Sequence, residues 1–383
     1  MRFATTAIHA GQGADPATGA TIVPIYQTST FTQSEVGAHK GFEYSRSGNP
    51  TRTALETCLA ALDGGAHALA YASGLAAETG ALSLLAPGDH VVAGADLYGG
   101  TVRLLDTVLA PLGIETTYVD GGEEEAFAAA VRPATRLVWV ETPSNPLLEM
   151  TDIAAVARMA HDAGALLAVD NTFATPALQR PLDLGAGIVA YSTTKYVGGH
   201  SDVVGGALVV NNDELAGRLR YHQNATGSIA GPFDAWLTMR GVKTLEIRMR
   251  RHCENAAIVA QHLLSSTAVE RVYFPGLPEN PGHTLASRQM SDFGGMVSLR
   301  LAGGENAART FLRTLSVFSL AESLGGVESL ACYPAAMTHA SVPSAERERR
   351  GISGGLVRLS VGIEDPADLL DDIDNALSAG NAS

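Results

Sequence analysis

Short apolar runs alternate with amphipathic stretches through the middle of the chain. HALAYAS (67–73), DHVVAGA (89–95), TRLVWVETP (135–143), ALLAVDNT (165–172) and GIVAYSTTK (187–195) have the length and bounding residues of buried strands. Between them GLAAETGALSLLA (74–86), GGTVRLLDTVLAPLG (99–113) and TDIAAVARMAHDAG (151–164) carry helical spacing. This alternation predicts an α/β domain with a mainly parallel sheet. Ahead of it, residues 1–47 show little periodicity and read as an extended arm. In GNPTRTALETCLAAL, Asn49 caps a helix, Pro50 suits its first turn, and Leu55, Cys58, Leu59 and Leu62 fall on one face. One long helix is expected near 233–265. Beyond it VERVYF, GGMVSLRL and LVRLSVGI read as strands of a smaller α+β domain, closed by the helix DPADLLDDIDNAL. The expected divisions are an arm over 1–47, a large α/β domain over 48–245 and a C-terminal α+β domain over 246–383. The acidic run Glu123–Glu125 reads as a solvated turn or helix start.

Polar residues cluster where these strands end, in ETPSN, DNT and STTK, and ligands bind at the carboxyl ends of strands in an open α/β sheet. Lys195 follows one such strand with Ser192, Thr193 and Thr194 before it. It is one of only three lysines, with Lys40 and Lys243, in a chain that otherwise uses arginine. An amine can lose its proton and attack a carbonyl where a guanidinium cannot. A surface lysine fits the spacing equally well. Asp170, directly after an apolar run, suits three roles: pairing with a pyridinium nitrogen, binding a metal, or capping the next turn. Ser73 and Gly74 join a strand to a helix, a junction whose free amides favour phosphate. Tyr44 and Arg46 precede the capped helix, where Arg46 is either a phosphate fork or an ordinary loop arginine. Arg358 interrupts an apolar strand and would grip a carboxylate if its face lines a cleft.

Charge and composition narrow the classes. The 383 residues carry 26 Lys plus Arg against 40 Asp plus Glu, a net charge of −14, and no basic block suited to nucleic acid. No apolar run is long enough for a membrane span. The N-terminus lacks the apolar core of a signal peptide. Cys58, Cys253 and Cys332 are far apart and read as reduced thiols of a cytoplasmic protein. The motifs GxxxxGK[ST], GxGxxG after a strand and HExxH are missing, and the eleven histidines have no ligand spacing, so no metal is expected.

GFEYSRSGNPTR, YASGLAA, DLYGGT, WVETPSNPLLEMTDI, VDNTFATPALQRPLDLGA, YSTTKYVGGHSDVVGG and LAESLGGVESLACYPAAMTHASV span nearly the whole chain. Together they closely resemble the Cys/Met-metabolism family of pyridoxal-phosphate enzymes. The resemblance implies fold type I, like aspartate aminotransferase, and the cofactor pyridoxal 5'-phosphate. It implies that Lys195 holds the cofactor as an imine and then shuttles protons between the α- and β-carbons. Asp170 would pair with the ring nitrogen and Tyr98 would stack on the ring and assist at the leaving group. The Gly74 and Leu75 amides and the Ser192 and Thr194 hydroxyls would hold the phosphate. Tyr44 and Arg46 would reach the phosphate of a neighbouring subunit, in a homotetramer built as a dimer of dimers. Asn145, Ser323 and Arg358 would hold the α-carboxylate of a small amino-acid substrate. Leu75 stands where relatives often have Met, and Tyr333 where they have His.

Two positions bear on the reaction. Glu322, in LAESLGG, goes in this family with members that handle cystathionine, where it engages the distal ammonium. Gly100 stands where members acting on methionine carry Cys, and Arg103 could take cystathionine's distal carboxylate. The expectation is γ-elimination of L-cystathionine to cysteine, 2-oxobutanoate and ammonia. The alternative is γ-replacement of an O-acyl-homoserine by cysteine. Methionine γ-elimination and a catalytically silent cofactor-binding relative are more distant readings, the latter disfavoured because Lys195 and Asp170 are both present.

Overall fold

The computed structural model describes residues 1–340 and 344–381. Ser341 and Val342, which close the last motif quoted above, lie outside them. Seven strands form the first sheet: β1 (His67–Tyr71), β2 (His90–Gly94), β3 (Glu115–Val119), β4 (Thr135–Glu141), β5 (Leu166–Asp170), β6 (Ile188–Tyr191) and β7 (Gly206–Val210). Their order is β1-β7-β6-β5-β4-β2-β3. Only β7 runs against its neighbours; the β3–β2–β4–β5–β6 ladder is parallel throughout. The period-2 alternation sorts side chains onto two covered faces. Leu69, Tyr71, Val91, Ala93, Trp139 and Ala190 pack on one side. Ala68, Ala70, Val189 and Tyr191, with Val92, Val138 and Val169, pack on the other.

A second sheet holds β8 (Val269–Tyr273), β9 (Met296–Leu301), β10 (Ser319–Leu320), β11 (Leu330–Cys332) and β12 (Leu356–Ser360), in the order β10-β11-β12-β9-β8. All of its pairings except β10–β11 are antiparallel. The fold is thus α/β with a mostly parallel central sheet and a second sheet after it. No helix among the described residues is long and apolar enough to cross a membrane.

The helix Pro50–Asp63 forms as its sequence predicts. Asn49 Oδ1 accepts from the Thr51 amide at 3.0 Å, and Gly64 ends the helix in the left-handed region. Leu55, Cys58, Leu59 and Leu62 are all buried. The helix Gly74–Leu82 likewise starts at Ser73, whose hydroxyl accepts from Ala76. Glu124–Ala130 is the helix that the acidic run begins.

Three expectations need correction. The arm contains a helix, Phe3–His9, because Ala7 buries against the Cys58 region and its carbonyl accepts from Gln12. The expected long helix is two, Pro232–Val242 and Leu245–Leu263. The Gly241 carbonyl is captured by the Thr244 amide and hydroxyl and by the Arg248 guanidinium at 2.9 Å, which ends the ladder there. Arg248, buried and with its pKa lowered to about 10 by desolvation, also donates to the Tyr196 and Val197 carbonyls. The strands ETTYV and GALVV were not among those expected. The first is half exposed at the sheet edge, and the second follows a glycine-rich turn that hides its short apolar run.

The Asn49→Ala variant removes a cap worth ~1 kcal/mol. It also removes the 2.9 Å hydrogen bond from Asn49 Nδ2 to the Tyr26 carbonyl, a further loss of at most ~1 kcal/mol because that carbonyl still accepts from the Thr28 amide. Thermal unfolding should show a lowered Tm for Asn49→Ala, with Asn49→Asp recovering the part due to the cap.

Candidate active site

Parallel pairing fixes which side chains meet at the carboxyl edge of the first sheet. Glu141 and Asp170 are register partners at the ends of β4 and β5. The segment 192–195 follows β6, and Ser73–Gly74 follows β1, which points the same way. These ends, with the Tyr98 segment and the loop carrying Ser323, enclose a cavity of about 290 Å³.

At one wall the helix Gly74–Leu82 presents its N-terminus. The Gly74 and Leu75 amides have no intrahelical acceptor, and the helix dipole adds positive potential. A side chain at Gly74 would put its Cβ 2.8 Å from that of Ser192, so the close approach of helix and turn requires glycine here. Ser192 and Thr194 both line the wall. The Thr194 hydroxyl donates to the Gly205 carbonyl at 3.1 Å and accepts from its amide at 3.0 Å. The junction is an anion cradle of backbone amides and hydroxyls.

Lys195 points into the cavity with its Nζ donating to Ser323 Oγ at 2.7 Å. Burial lowers its pKa to about 8, the nearby Arg358 guanidinium adds to this, and Glu322 opposes it. The amine is therefore close to losing its proton near neutral pH. Ser323 itself adopts φ 92°, an uncommon conformation for a non-glycine residue, which marks a constrained loop. Gly325 explains the constraint: its Cβ would lie 2.6 Å from the Tyr196 amide nitrogen.

Arg358, on β12, is buried. It donates to Asn145 Oδ1 at 2.8 Å and to the Ser323 carbonyl at 2.9 Å. Its Nε is buried without a partner. A fork so held is shaped for a carboxylate.

Asp170 Oδ1 accepts from the Thr172 amide at 2.9 Å. Burial raises its pKa, and the Thr172 side chain and then its amide work in the other direction. Glu141 Oε2 accepts from the Tyr98 amide at 2.8 Å, and its pKa is raised by burial and then by Asp170. Burial likewise raises the Tyr98 phenol, while Arg103 lowers it.

The structure therefore brings together Lys195, Asp170, Tyr98, Gly74, Leu75, Ser192, Thr194, Asn145, Ser323, Glu322 and Arg358 around one cavity. Three of the expected residues do not line it. Arg103 is exposed at the end of the helix Gly99–Arg103. Tyr44 and Arg46 are exposed on the arm; Arg46 donates to the Asn224 carbonyl at 2.7 Å and lies over the Tyr44 ring at 5.4 Å. Sequence reasoning missed Glu78 and Glu141. The strand-end argument that selected Asp170 applies equally to Glu141. Glu78 lies one helical turn beyond Gly74 and so shares its face.

An amine opposite an anion cradle, with a buried carboxylate at a further wall, fits a phosphate-bearing aldehyde with a basic ring nitrogen. Comparison with known proteins agrees. The family model for Cys/Met-metabolism enzymes dependent on pyridoxal phosphate matches residues 4–378. The cystathionine gamma-synthase of Mycobacterium tuberculosis is 56% identical over 98% of this chain and 96% of its own. The cystathionine beta-lyase of Coxiella burnetii is 52% identical, covering 97% of each. The crystal structure of cystathionine gamma-lyase from Lactobacillus plantarum, complexed with L-serine, superposes with a TM-score of 0.97 at 47% identity over 100% of both chains.

The neutral amine is the nucleophile, so capture of a pyridoxal aldehyde by the apoprotein should speed up as pH rises through about 8 and level off above it. Borohydride trapping followed by peptide mass spectrometry should find the label on Lys195, and Lys195→Arg should abolish it.

Proposed function

The chain belongs to the Cys/Met-metabolism enzymes that depend on pyridoxal phosphate, and from that premise we propose that it carries out γ-elimination of L-cystathionine, giving cysteine, 2-oxobutanoate and ammonia. The observation that carries this reading is Glu322 on the lining of the same cavity as Lys195 and Arg358. It offers a carboxylate to the distal ammonium of a long diamino substrate, which methionine lacks.

Bound pyridoxal phosphate supplies an electron sink for the carbanion left when the α-proton departs. In our reading the Gly74 and Leu75 amides, with Ser192 and Thr194, hold its phosphate, and Asp170 faces its ring nitrogen. Arg358, positioned by Asn145 and the Ser323 carbonyl, takes the substrate α-carboxylate. Lys195, with its lowered proton affinity, takes the α-proton and then moves a proton at the β-carbon. Ser323 Oγ parks the amine between those steps, an inference supported by the 2.7 Å contact. Tyr98, on the cavity lining, would stack on the ring and assist proton transfer at the leaving thiol. Arg103 completes the reading at the distal carboxylate, from just outside the cavity. Tyr44 and Arg46, exposed and turned away from this chain's own cavity, serve the phosphate of a neighbouring copy, so the working unit is at least a dimer and, in our reading, a homotetramer.

A second reading has one observation in its favour: the M. tuberculosis relative at 56% identity is named a gamma-synthase. The same residues would then let cysteine attack an O-acyl-homoserine at the γ-carbon. Two parallel assays separate them, one with cystathionine alone and one with an O-acyl-homoserine plus cysteine. Faster release of 2-oxobutanoate in the first supports the lyase; faster cystathionine formation in the second overturns it. Glu322→Val should lower kcat/KM for cystathionine by about tenfold or more, as expected for a lost charge-assisted contact. It should also narrow the preference for cystathionine over methionine, and unchanged cystathionine kinetics would remove Glu322 from the substrate site.

A further inference from the structure

Glu78 has no role in the chemistry above, yet it lines the cavity, is only 5% exposed, and its Oε2 is buried without a hydrogen-bond partner. An unpaired buried carboxylate oxygen is costly, so the site must offer it a proton or a cation. Its surroundings offer no cation. From β5 it faces Asp170, and from β4 Glu141, the register partner of Asp170. Tyr98 and Thr101 approach it from the helix that starts at Gly99. From β1, Tyr71 packs under Gly80, two residues further along the same helix. Neither β7 nor the helix Asp213–Thr226 contributes to the lining among the described residues. The two cations of the lining, Lys195 and Arg358, are engaged with Ser323 and Asn145. The acids do not make a metal site, because no three His, Cys, Asp or Glu side chains among the described residues converge as ligands would.

Asp170 and Glu78 are unequal in this setting. Asp170 receives the Thr172 amide, which favours its charged form. The Glu78 Oε2 has no hydrogen-bond partner, and only the Thr101 side chain favours the charged form of Glu78. Two neighbouring buried carboxyls cannot both ionise cheaply, so the charge belongs on the one with the donor.

We propose that Glu78 carries the proton of an Asp170–Glu78 acid pair, and so acts as the positioning residue that leaves Asp170 as the single anion facing the cofactor's ring nitrogen. In agreement, burial and the Asp170 charge push the Glu78 pKa up to about 8, with the Thr101 side chain opposing them. The arrangement keeps the negative charge at this wall matched to the one positive charge that a protonated ring nitrogen brings. It rests on the cofactor occupying this cavity and holds for either direction of the reaction.

The test uses the holoenzyme and its Glu78→Gln variant, with Glu78→Ala as a second substitution in case the amide packs badly. Infrared difference spectra report the C=O stretch of a protonated carboxylic acid, and the cofactor's visible band is followed over the same pH series. The wild-type protein should show the acid stretch at pH 7 and lose it as pH rises through about 8, with a parallel change in the visible band. Both variants should lose the Glu78 part of that stretch, read as a variant-minus-wild-type difference against the bands of the other buried acids such as Glu141, together with that limb of the visible titration. If the stretch persists unchanged in both variants, or is missing from the wild type at pH 7, the inference is overturned. The visible band shows the cofactor in place under every outcome, so this failure is distinct from failure of the cofactor assignment.

Discussion

The guanidinium of Arg358 joins the two halves of the molecule. It sits on a strand of the second sheet, yet its hydrogen bonds go to Asn145, beyond the end of a strand in the first, and to the carbonyl of Ser323. The Ser323 side chain in turn accepts from Lys195. A buried arginine must satisfy its donors or pay for their desolvation, so this position fixes where the β12 strand, the Asn145 loop and the lysine-bearing turn can lie. Its Nε is buried without a partner, and Arg358 lines the cavity.

The opposite wall follows the reverse logic. Parallel strands with staggered helices bring backbone amides and short acidic side chains to one edge. The sheet register forces Glu141 and Asp170 side by side whatever their charges prefer. Asp170 is favoured in its charged form by Thr172, while burial and the Asp170 charge raise the Glu141 pKa even though Glu141 accepts from the Tyr98 amide. The cavity is therefore polarised, with the Lys195 and Arg358 cations tied to Ser323 and Asn145 and the acids crowded together elsewhere on the lining. A bound molecule that is anionic at one end and cationic at the other meets complementary charge along its length.

Much of this was legible in the sequence, for physical reasons. Fully buried parallel strands are continuous apolar runs, and their polar ends mark the functional edge, which is how Lys195 and Asp170 stood out. Caps at Asn49 and Ser73 are local side-chain-to-amide bonds and need no tertiary knowledge. The break at residues 243–244 was not legible, because Gly241 loses its helical partner to Arg248, and that side chain is placed by the lysine turn. The strand Glu115–Val119 was missed because an edge strand is only half covered and shows mixed polarity. Glu78 was missed because a glutamate on a helix ordinarily faces water, and only the fold turns this face inward. Tyr44 and Arg46 stood out before the capped helix and again in the resemblance, and Arg103 in weighing the reaction; the geometry of a single chain leaves all three outside the cavity.

The Arg248 clamp has a consequence for how the site comes apart. One guanidinium holds the carbonyls of Tyr196, Val197 and Gly241, so the turn carrying the reactive amine is fastened to the junction of two long helices. Amide protons there belong to the cooperative unit of the whole helix pair, not to a fraying loop, and their exchange with solvent should be as slow as that of the core strands. Whatever motion the Lys195 amine makes in the cavity is left to the flexible stem of its side chain, while the backbone beneath it is held by Arg248.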